Sequence, residues 1–272
     1  MGNEGLNVRL LTPEVDRNYR FLKEVLTLSD KKKGRSMTLN ITLEGSDGLI
    51  LATDSRGTIG DPRGLTAIND IQKKLFKLNK YSGITIAGSS ELAATLIDKL
   101  MKQIQDTHSA EDIANLAYTL IRQEYQNWFG ARQWVTSGPV MDNRPMVNFI
   151  LAGYNKIDET YQPRIYLLNS QLDFAPQLCP SGYMLAGIPQ YATYLLHRFY
   201  DRRMTIKNLT SLAAYLIAET ATQDPKVGGP IRMAQITKEE GFKELEEAVI
   251  TEVVKRNEEQ NQKLRQFFFK EA

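Results

Sequence analysis

Hydrophobic positions along the chain follow two periods, one typical of strands and one typical of helices. Short apolar runs bounded by turn residues predict eight strands, at 38–43, 49–54, 68–78, 83–87, 147–154, 164–168, 183–186 and 231–236. Apolar residues three and four positions apart predict helices that begin near residues 14, 89, 109, 190 and 205, with a charged helix from about 242 to the end. Helices therefore come in pairs between groups of strands, and such an order favours helical layers that cover stacked sheets.

Two helix starts and one loop stand out in this pattern. Thr12-Pro13-Glu14 is typical of a first helical turn, because threonine caps, proline fits the first position and glutamate suits the positive helix end. Ser109 followed by Asp112 has the spacing of a capping box. Residues 129–145 contain several glycines and prolines and predict an irregular loop, flanked by Trp128 and Trp134, for which we expect packing roles.

Composition narrows the classes of function. The chain has 272 residues with 34 Lys+Arg and 32 Asp+Glu, so its net charge of +2 gives no strong field for nucleic acid or an anionic membrane. No apolar run approaches the ~18–20 residues that span a bilayer, and the N-terminus does not have the pattern of a secretory signal. We therefore expect a cytoplasmic protein that binds neither nucleic acid nor membrane.

Common catalytic and cofactor motifs are missing from the sequence. There is no glycine-rich phosphate loop and no Gly-x-Ser-x-Gly element. The two histidines, His108 and His197, and the single cysteine, Cys179, are too few for a zinc cluster or a disulfide. We expect no metal and no cofactor, and for His197 a structural or surface role.

One constellation points to a family. Thr38 opens the first predicted strand, a turn ends in Asp47-Gly48, and the second strand leads into Ala52-Thr53-Asp54-Ser55-Arg56. This opening resembles that of proteasome subunits of the β type. The resemblance covers residues 37–242 and includes Lys73-Lys74-Leu75-Phe76, 83–88, 147–153, Met204-Thr205, Asp224 and Gly228-Gly229.

The resemblance implies an α+β fold, a four-layer α-β-β-α sandwich of the N-terminal-nucleophile hydrolase type. It divides the chain into an N-terminal extension, 1–36, with one amphipathic helix, a sandwich domain, 37–242, and a charged C-terminal helix, 243–272. The two flanking segments resemble instead the α-type subunits, which have an N-terminal helix and no catalytic threonine.

Active members of the family use the threonine hydroxyl as nucleophile and its freed α-amine as base. By resemblance Thr38 holds the nucleophile position, and Asp54 and Asp224 hold two aspartate positions. At ungapped spacing the family lysine falls on Asp70, whose carboxylate would keep the amine protonated. If 68–78 is one strand, Lys73 points to the other face and Lys74 lies about 13 Å beyond Asp70 at ~3.3 Å per residue, so neither lysine substitutes.

Other positions also depart from the active pattern. Gly187 and Val227 occupy the places of two family serines. Met37 precedes Thr38, whereas active β-type subunits are usually cut after a glycine. These departures count against catalysis.

Three functions follow from these residues. The first is a ring-forming subunit of a proteasome-like particle for protein degradation, with an impaired or absent catalytic site, which associates with itself or with related subunits. The second is an active threonine-type endopeptidase or amidase that uses Thr38 after removal of residues 1–37 and acts on unfolded polypeptides. The third is a non-enzymatic binding module on the same fold.

Overall fold

The computed structural model of the protein describes residues 38–60, 66–130, 144–157 and 160–270. The predicted helix near residue 14 and most of the predicted loop 129–145, with Trp134, lie outside these residues. The strands are β1 (Leu39–Glu44), β2 (Leu49–Thr53), β3 (Gly57–Gly60), β4 (Thr66–Asn69), β5 (Leu75–Asn79), β6 (Ser82–Gly88), β7 (Val147–Ile157), β8 (Thr160–Asn169), β9 (Gln177–Leu178), β10 (Tyr183–Gly187), β11 (Arg232–Thr237) and β12 (Gly241–Glu244). The helices are α1 (Ser90–Met101), α2 (Ala110–Phe129), α3 (Gln190–Phe199), α4 (Ile206–Gln223) and α5 (Glu247–Lys270).

The first five-stranded sheet has the antiparallel order β10-β1-β2-β11-β12. Alternate residues of β1, Leu39, Ile41 and Leu43, are fully buried and share a hydrophobic cluster with residues of α3 and α4, such as Leu196 and Leu216. α4 contacts β1 and β2, and α5 contacts α4 and β11. Burial of one face of each strand against these helices follows from the two-residue period of a strand.

The second five-stranded sheet has the antiparallel order β5-β6-β7-β8-β9. α1 contacts β6 and β7, and α2 contacts β7 and β8. Ile84, Phe149 and Leu151 are buried in the cluster that these helices share with the sheet. Strands of the two sheets also contact each other, because β1 and β2 contact both β6 and β7.

The mixed α+β class predicted from the sequence is confirmed by this arrangement. The predicted capping box is confirmed as well, since Ser109 Oγ accepts a hydrogen bond from Asp112 N and the Asp112 carboxylate accepts one from Ser109 N. None of the helices within the described residues is both long enough and apolar enough to cross a membrane.

The prediction of a single strand over 68–78 is wrong. The chain turns at Asp70 and Ile71 between β4 and β5, and β4 pairs with β3 in a separate hairpin. The Asn69 side chain accepts a hydrogen bond from Ile71 N at 3.1 Å, a local bond that competes with continued strand pairing. Ile68 and Ile71 are exposed rather than buried, so their apolar character misled the assignment.

The prediction of a helix from residue 242 is also wrong at its start. Residues Gly241–Glu244 form β12, which pairs with β11, and α5 begins only at Glu247. Phe242 is buried in this edge strand, and cross-strand pairing outweighs the helical propensity of the glutamates and lysine nearby.

Candidate active site: Thr38, Asp54 and Lys74

The start of β1 and the end of β2 lie side by side. Asn40 pairs with Thr53 in the antiparallel register, which brings Thr38 next to Asp54. Leu39 N donates to Asp54 Oδ1 at 3.1 Å, and Asp54 N donates to Leu39 O at 3.3 Å. The Thr38 hydroxyl donates to Asp54 Oδ1. Two residues 16 positions apart are therefore joined at one end of the sheet.

Lys74 reaches the same point from the segment before β5. Its Nζ lies 2.5 Å from Thr38 Oγ1, 2.9 Å from Asp54 Oδ1 and 2.6 Å from Arg56 O. An ammonium group has three donors, and these three oxygens occupy all of them. Thr38, Asp54 and Lys74 are 2%, 0% and 3% exposed, so the contacts lie in a medium where charge interactions are stronger than in water.

The Asp54 carboxylate is held on both of its oxygens. Oδ1 faces Thr38, Leu39 N and Lys74, while Oδ2 accepts from Arg56 N at 3.2 Å and from Gly228 N at 3.0 Å. A buried carboxylate that accepts this many hydrogen bonds is compensated for its loss of water. Its orientation toward the threonine is therefore fixed.

The prediction that no lysine reaches Thr38, and that Asp70 faces it instead, is wrong. Asp70 points to Arg56, with Arg56 Nε at 2.8 Å and its Nη2 at 3.0 Å from the two carboxylate oxygens. The Arg56 guanidinium lowers the pKa of Asp70 below its usual value. The distance that excluded Lys74 assumed a straight strand, and the turn at Asp70 removes that assumption.

The pKa of the Lys74 amine is subject to opposing effects. Burial lowers its pKa below the ordinary 10.5, because the charged form loses water, and the nearby Arg56 charge acts in the same direction. The Asp54 carboxylate and, more weakly, Asp70 oppose this. The net effect is a lowered pKa, so a larger fraction of the Lys74 amine is neutral at a given pH than in an exposed lysine.

Asp224 lies apart from the other two predicted site residues. It ends α4, and its Oδ1 accepts from Lys226 N at 2.9 Å. Among the hydrogen bonds between described residues, none joins its side chain to Thr38, Asp54 or Lys74. Asp224 instead bonds within the loop that follows α4, and Gly228 N of the same loop donates to Asp54.

The two positions where the resemblance expects serines have structural explanations. Gly187 has a φ of +103°, and a Cβ there would lie 1.9 Å from Thr38 O, so a side chain would collide with the backbone of the threonine. The next residue, Ile188, donates its N–H to Thr38 O at 2.8 Å. Val227 is fully buried in the hydrophobic cluster beneath the first sheet.

The remaining candidates from the sequence lie elsewhere. His197 is exposed on α3, where its ring contacts Tyr183. Burial raises the pKa of the Cys179 thiol to about 12, so it is inert as a nucleophile. Among the described residues, no group of three or more His, Cys, Asp and Glu side chains is placed to hold a metal ion.

A hydroxyl with a carboxylate and a lysine amine in contact is a constellation used by hydrolases with a hydroxyl nucleophile. Comparison with known proteins gives the family. The family model described as "Proteasome subunit" matches residues 38–236. The chain belongs to the proteasome subunit family.

Curated relatives carry the name of a proteasome subunit. The chain is similar to "Proteasome subunit beta" of Methanopyrus kandleri, with 23% identity over 226 residues that cover 80% of this chain and 95% of the relative. It is 27% identical to "Proteasome subunit beta" of Methanocaldococcus vulcanius over 83% of this chain and 91% of the relative. It is 28% identical to "Proteasome subunit beta" of Methanosphaera stadtmanae over 71% of this chain and 83% of the relative. The expected family is thus confirmed.

Lys74 is the site residue that the ungapped spacing missed. The signal for it was in the sequence, because Lys73-Lys74-Leu75-Phe76 is one of the segments that carry the resemblance. Anchoring on that segment places Lys74, four positions after Asp70, at the lysine position.

Proposed function

We propose that the protein is a catalytic subunit of a proteasome-like particle, a threonine-type peptidase whose nucleophile is Thr38 Oγ1. One observation carries this proposal, the 2.5 Å contact of Lys74 Nζ with Thr38 Oγ1 beside the buried Asp54 carboxylate. The names of the relatives, "Proteasome subunit beta", support the particle and its role in protein degradation.

The first reaction of such a site would be on the chain itself. Thr38 Oγ1 would attack the carbonyl carbon of Met37, and the peptide nitrogen of Thr38 would leave as an amine. Residues 1–37 would then be held as an ester on Oγ1. Water would hydrolyse this ester and release them, which would leave a chain that begins at Thr38 with a free α-amine.

The same groups would then act on a bound polypeptide. Neutral Lys74 would accept the Thr38 hydroxyl proton as Oγ1 attacks a substrate carbonyl carbon, and Asp54 would stabilise the ammonium that forms. The proton would pass to the leaving amine as the peptide bond breaks, either from Lys74 or through the freed α-amine that the family uses as base. Water would then hydrolyse the acyl ester and regenerate Thr38.

Asp54 and Asp224 would have different roles in this scheme. Asp54 would orient Lys74 and Thr38 directly, through the bonds that its carboxylate makes to both. Asp224 would act at a distance, by shaping the loop whose Gly228 N–H holds Asp54.

The proposal extends to architecture and assembly. Helices on one sheet, contacts between the two sheets and helices on the second sheet support the four-layer α-β-β-α sandwich of the N-terminal-nucleophile type. Subunits of this family would associate, with copies of themselves or with related chains, into rings in the cytoplasm. The sandwich domain would begin near residue 37, after the N-terminal extension, and α5 would form the charged C-terminal segment.

A second candidate is a ring subunit without activity of its own. Met37 precedes Thr38, whereas the resemblance to active β-type subunits implies a glycine before the cut, and this difference favours the inactive subunit. In that case residues 1–37 would remain attached and Thr38 would keep its peptide bond.

The mass of the purified wild-type protein separates these two candidates. We expect mass spectrometry to show a chain that lacks 37 residues, and size-exclusion chromatography to show a multi-subunit particle that hydrolyses fluorogenic peptides. An intact chain of 30.9 kDa without peptide turnover would support the inactive ring subunit. A monomer without turnover would support the binding module.

The pH dependence of turnover is expected to follow Lys74. Because the neutral amine accepts the proton, kcat/KM should rise with pH as Lys74 deprotonates. The rise should be centred below the ordinary lysine pKa of 10.5, since burial lowers the pKa more than Asp54 and Asp70 raise it. The measurement is the steady-state rate on one fluorogenic peptide at pH values from about 5 to about 10, a range that includes pH values well below the pKa of a free lysine. A profile without any rising limb would count against Lys74 as the proton acceptor.

A further inference from the structure

We propose that Asp70 and Arg56 are positioning residues, whose ion pair fixes the turn before β5 so that the Lys74 amine reaches Thr38. We call this pair the Arg56–Asp70 clamp. The inference rests on the proposed function, because it assigns to these two residues a role in that same site. It reverses the part that the sequence suggested for Asp70, from a residue that disables the threonine to one that places its lysine.

The clamp joins three segments of the chain. The Arg56 guanidinium donates from Nε and Nη2 to both oxygens of Asp70, at 2.8 and 3.0 Å, and from Nη1 to Pro225 O at 2.9 Å. Such a two-pronged pairing of a planar guanidinium with a carboxylate fixes direction as well as distance. The exit of β2, the turn after β4 and the loop after α4 are thereby held together.

The backbone of Arg56 connects the clamp to the catalytic groups. Arg56 O accepts from Lys74 Nζ at 2.6 Å, and Arg56 N donates to Asp54 Oδ2 at 3.2 Å. The same residue whose side chain holds Asp70 thus contacts both charged members of the site. A shift of Arg56 would move an acceptor of Lys74 and a donor of Asp54 at once.

Two further contacts brace the turn and the loop. Gln72 N donates to Ser55 O at 3.1 Å, which ties the residues just before Lys74 to the exit of β2. A Cβ at Gly228 would lie 2.6 Å from Arg56 Cζ, and one at Gly229 would lie 3.0 Å from Asp70 Cβ. The clamp therefore lies directly on the Gly228-Gly229 backbone, and Gly228 in turn donates to Asp54.

The Arg56–Asp70 clamp is partly exposed to solvent, and this indicates that its role is positioning rather than stabilisation of the fold. The side chains of Arg56 and Asp70 are 22% and 39% exposed, and ion pairs that reach solvent add little to stability. Loss of the clamp should therefore change the rate of the chemical step much more than the thermal stability of the fold.

The experiment compares Asp70→Asn, Asp70→Glu, Arg56→Ala and the double variant Arg56→Ala/Asp70→Asn with the assembled wild-type particle. The matched control is Asp201→Asn, which breaks another arginine–aspartate pair, with Arg203, near the start of α4. Three quantities are measured for each variant. They are the steady-state kcat and KM on a fluorogenic peptide, the midpoint of thermal unfolding, and the distance from Lys74 Nζ to Thr38 Oγ1 in a crystal structure.

We expect kcat to fall about 10-fold for Asp70→Asn and about 100-fold for Arg56→Ala, because displacement of a catalytic group by about 1 Å can cost that much. KM should stay within about threefold of wild type, since misplacement of Lys74 weakens the chemical step rather than binding. The double variant should match Arg56→Ala, because the pair acts as one unit. Asp70→Glu should recover most of the rate, and Asp201→Asn should behave as wild type.

The inference is overturned if kcat in both Asp70→Asn and Arg56→Ala stays within about threefold of wild type, or if the Lys74 Nζ to Thr38 Oγ1 contact is unchanged in both crystal structures. It is also overturned if Asp70→Glu is as impaired as Asp70→Asn. If the wild-type particle shows no turnover, the proposed function fails, and the crystallographic distances still decide whether the clamp places Lys74.

Discussion

Replacement of Thr38 by valine is expected to abolish both the removal of residues 1–37 and peptide turnover. Valine keeps the shape and the strand preference of threonine but lacks the oxygen that would attack Met37 or a substrate. Removal of a catalytic hydroxyl of this kind lowers kcat by about 10⁴- to 10⁶-fold. The measurements are the mass of the purified variant, which should be that of the full chain, and its rate on a fluorogenic peptide.

Thr38→Ser provides the matched comparison, because it keeps the hydroxyl and removes only a methyl group. It should still lose residues 1–37 and retain turnover within about 100-fold of wild type, the loss expected from poorer positioning of the nucleophile. Retained turnover in the valine variant is the result that would refute Thr38 as nucleophile. Thr42→Val is a control on the same strand, since Thr42 lies in β1 away from Asp54 and Lys74.

Replacement of Lys74 by methionine is expected to lower kcat by about 10²- to 10⁴-fold, the range for loss of a general acid–base group. Methionine fills the buried space with a flexible unbranched chain. The Asp54 carboxylate keeps its hydrogen bonds from Leu39 N, Arg56 N and Gly228 N, so the fold should survive. We expect a loss of stability below the roughly 3–5 kcal/mol typical of a buried ion pair that loses one partner.

Lys74→Arg tests which property of the lysine matters. Arginine keeps the positive charge beside Asp54 but stays protonated at any working pH, so it should be nearly as impaired as methionine if Lys74 accepts the proton. Lys73→Met is the matched control at the adjacent position, because Lys73 is exposed and lies over the Phe76 ring. Equal losses in the Lys73 and Lys74 variants would indicate a general effect on this segment.

Most strands of the two five-stranded sheets, and the helices that cover them, were predictable, because their apolar residues alternate or recur with one regular period. β1 illustrates this, since its apolar residues, Leu39, Ile41 and Leu43, stand at every second position and share one face of the strand. The hairpin after β2 was not predictable on the same basis. Ile68 and Ile71 look like strand residues, and only the exposed turn at Asp70 and the bond from Ile71 N to Asn69 reveal the break.

The sequence by itself determined the family and the α+β class, because these depend on ordered motifs and on regular apolar periods along most of the chain. Only the tertiary structure decided which lysine stands beside the threonine. That choice depends on how a turn redirects the chain, and on the Arg56–Asp70 clamp that links segments more than 150 positions apart through Pro225. Contacts between distant segments leave no periodic pattern in a sequence, so a single strand with Asp70 at the site was the natural, and mistaken, prediction.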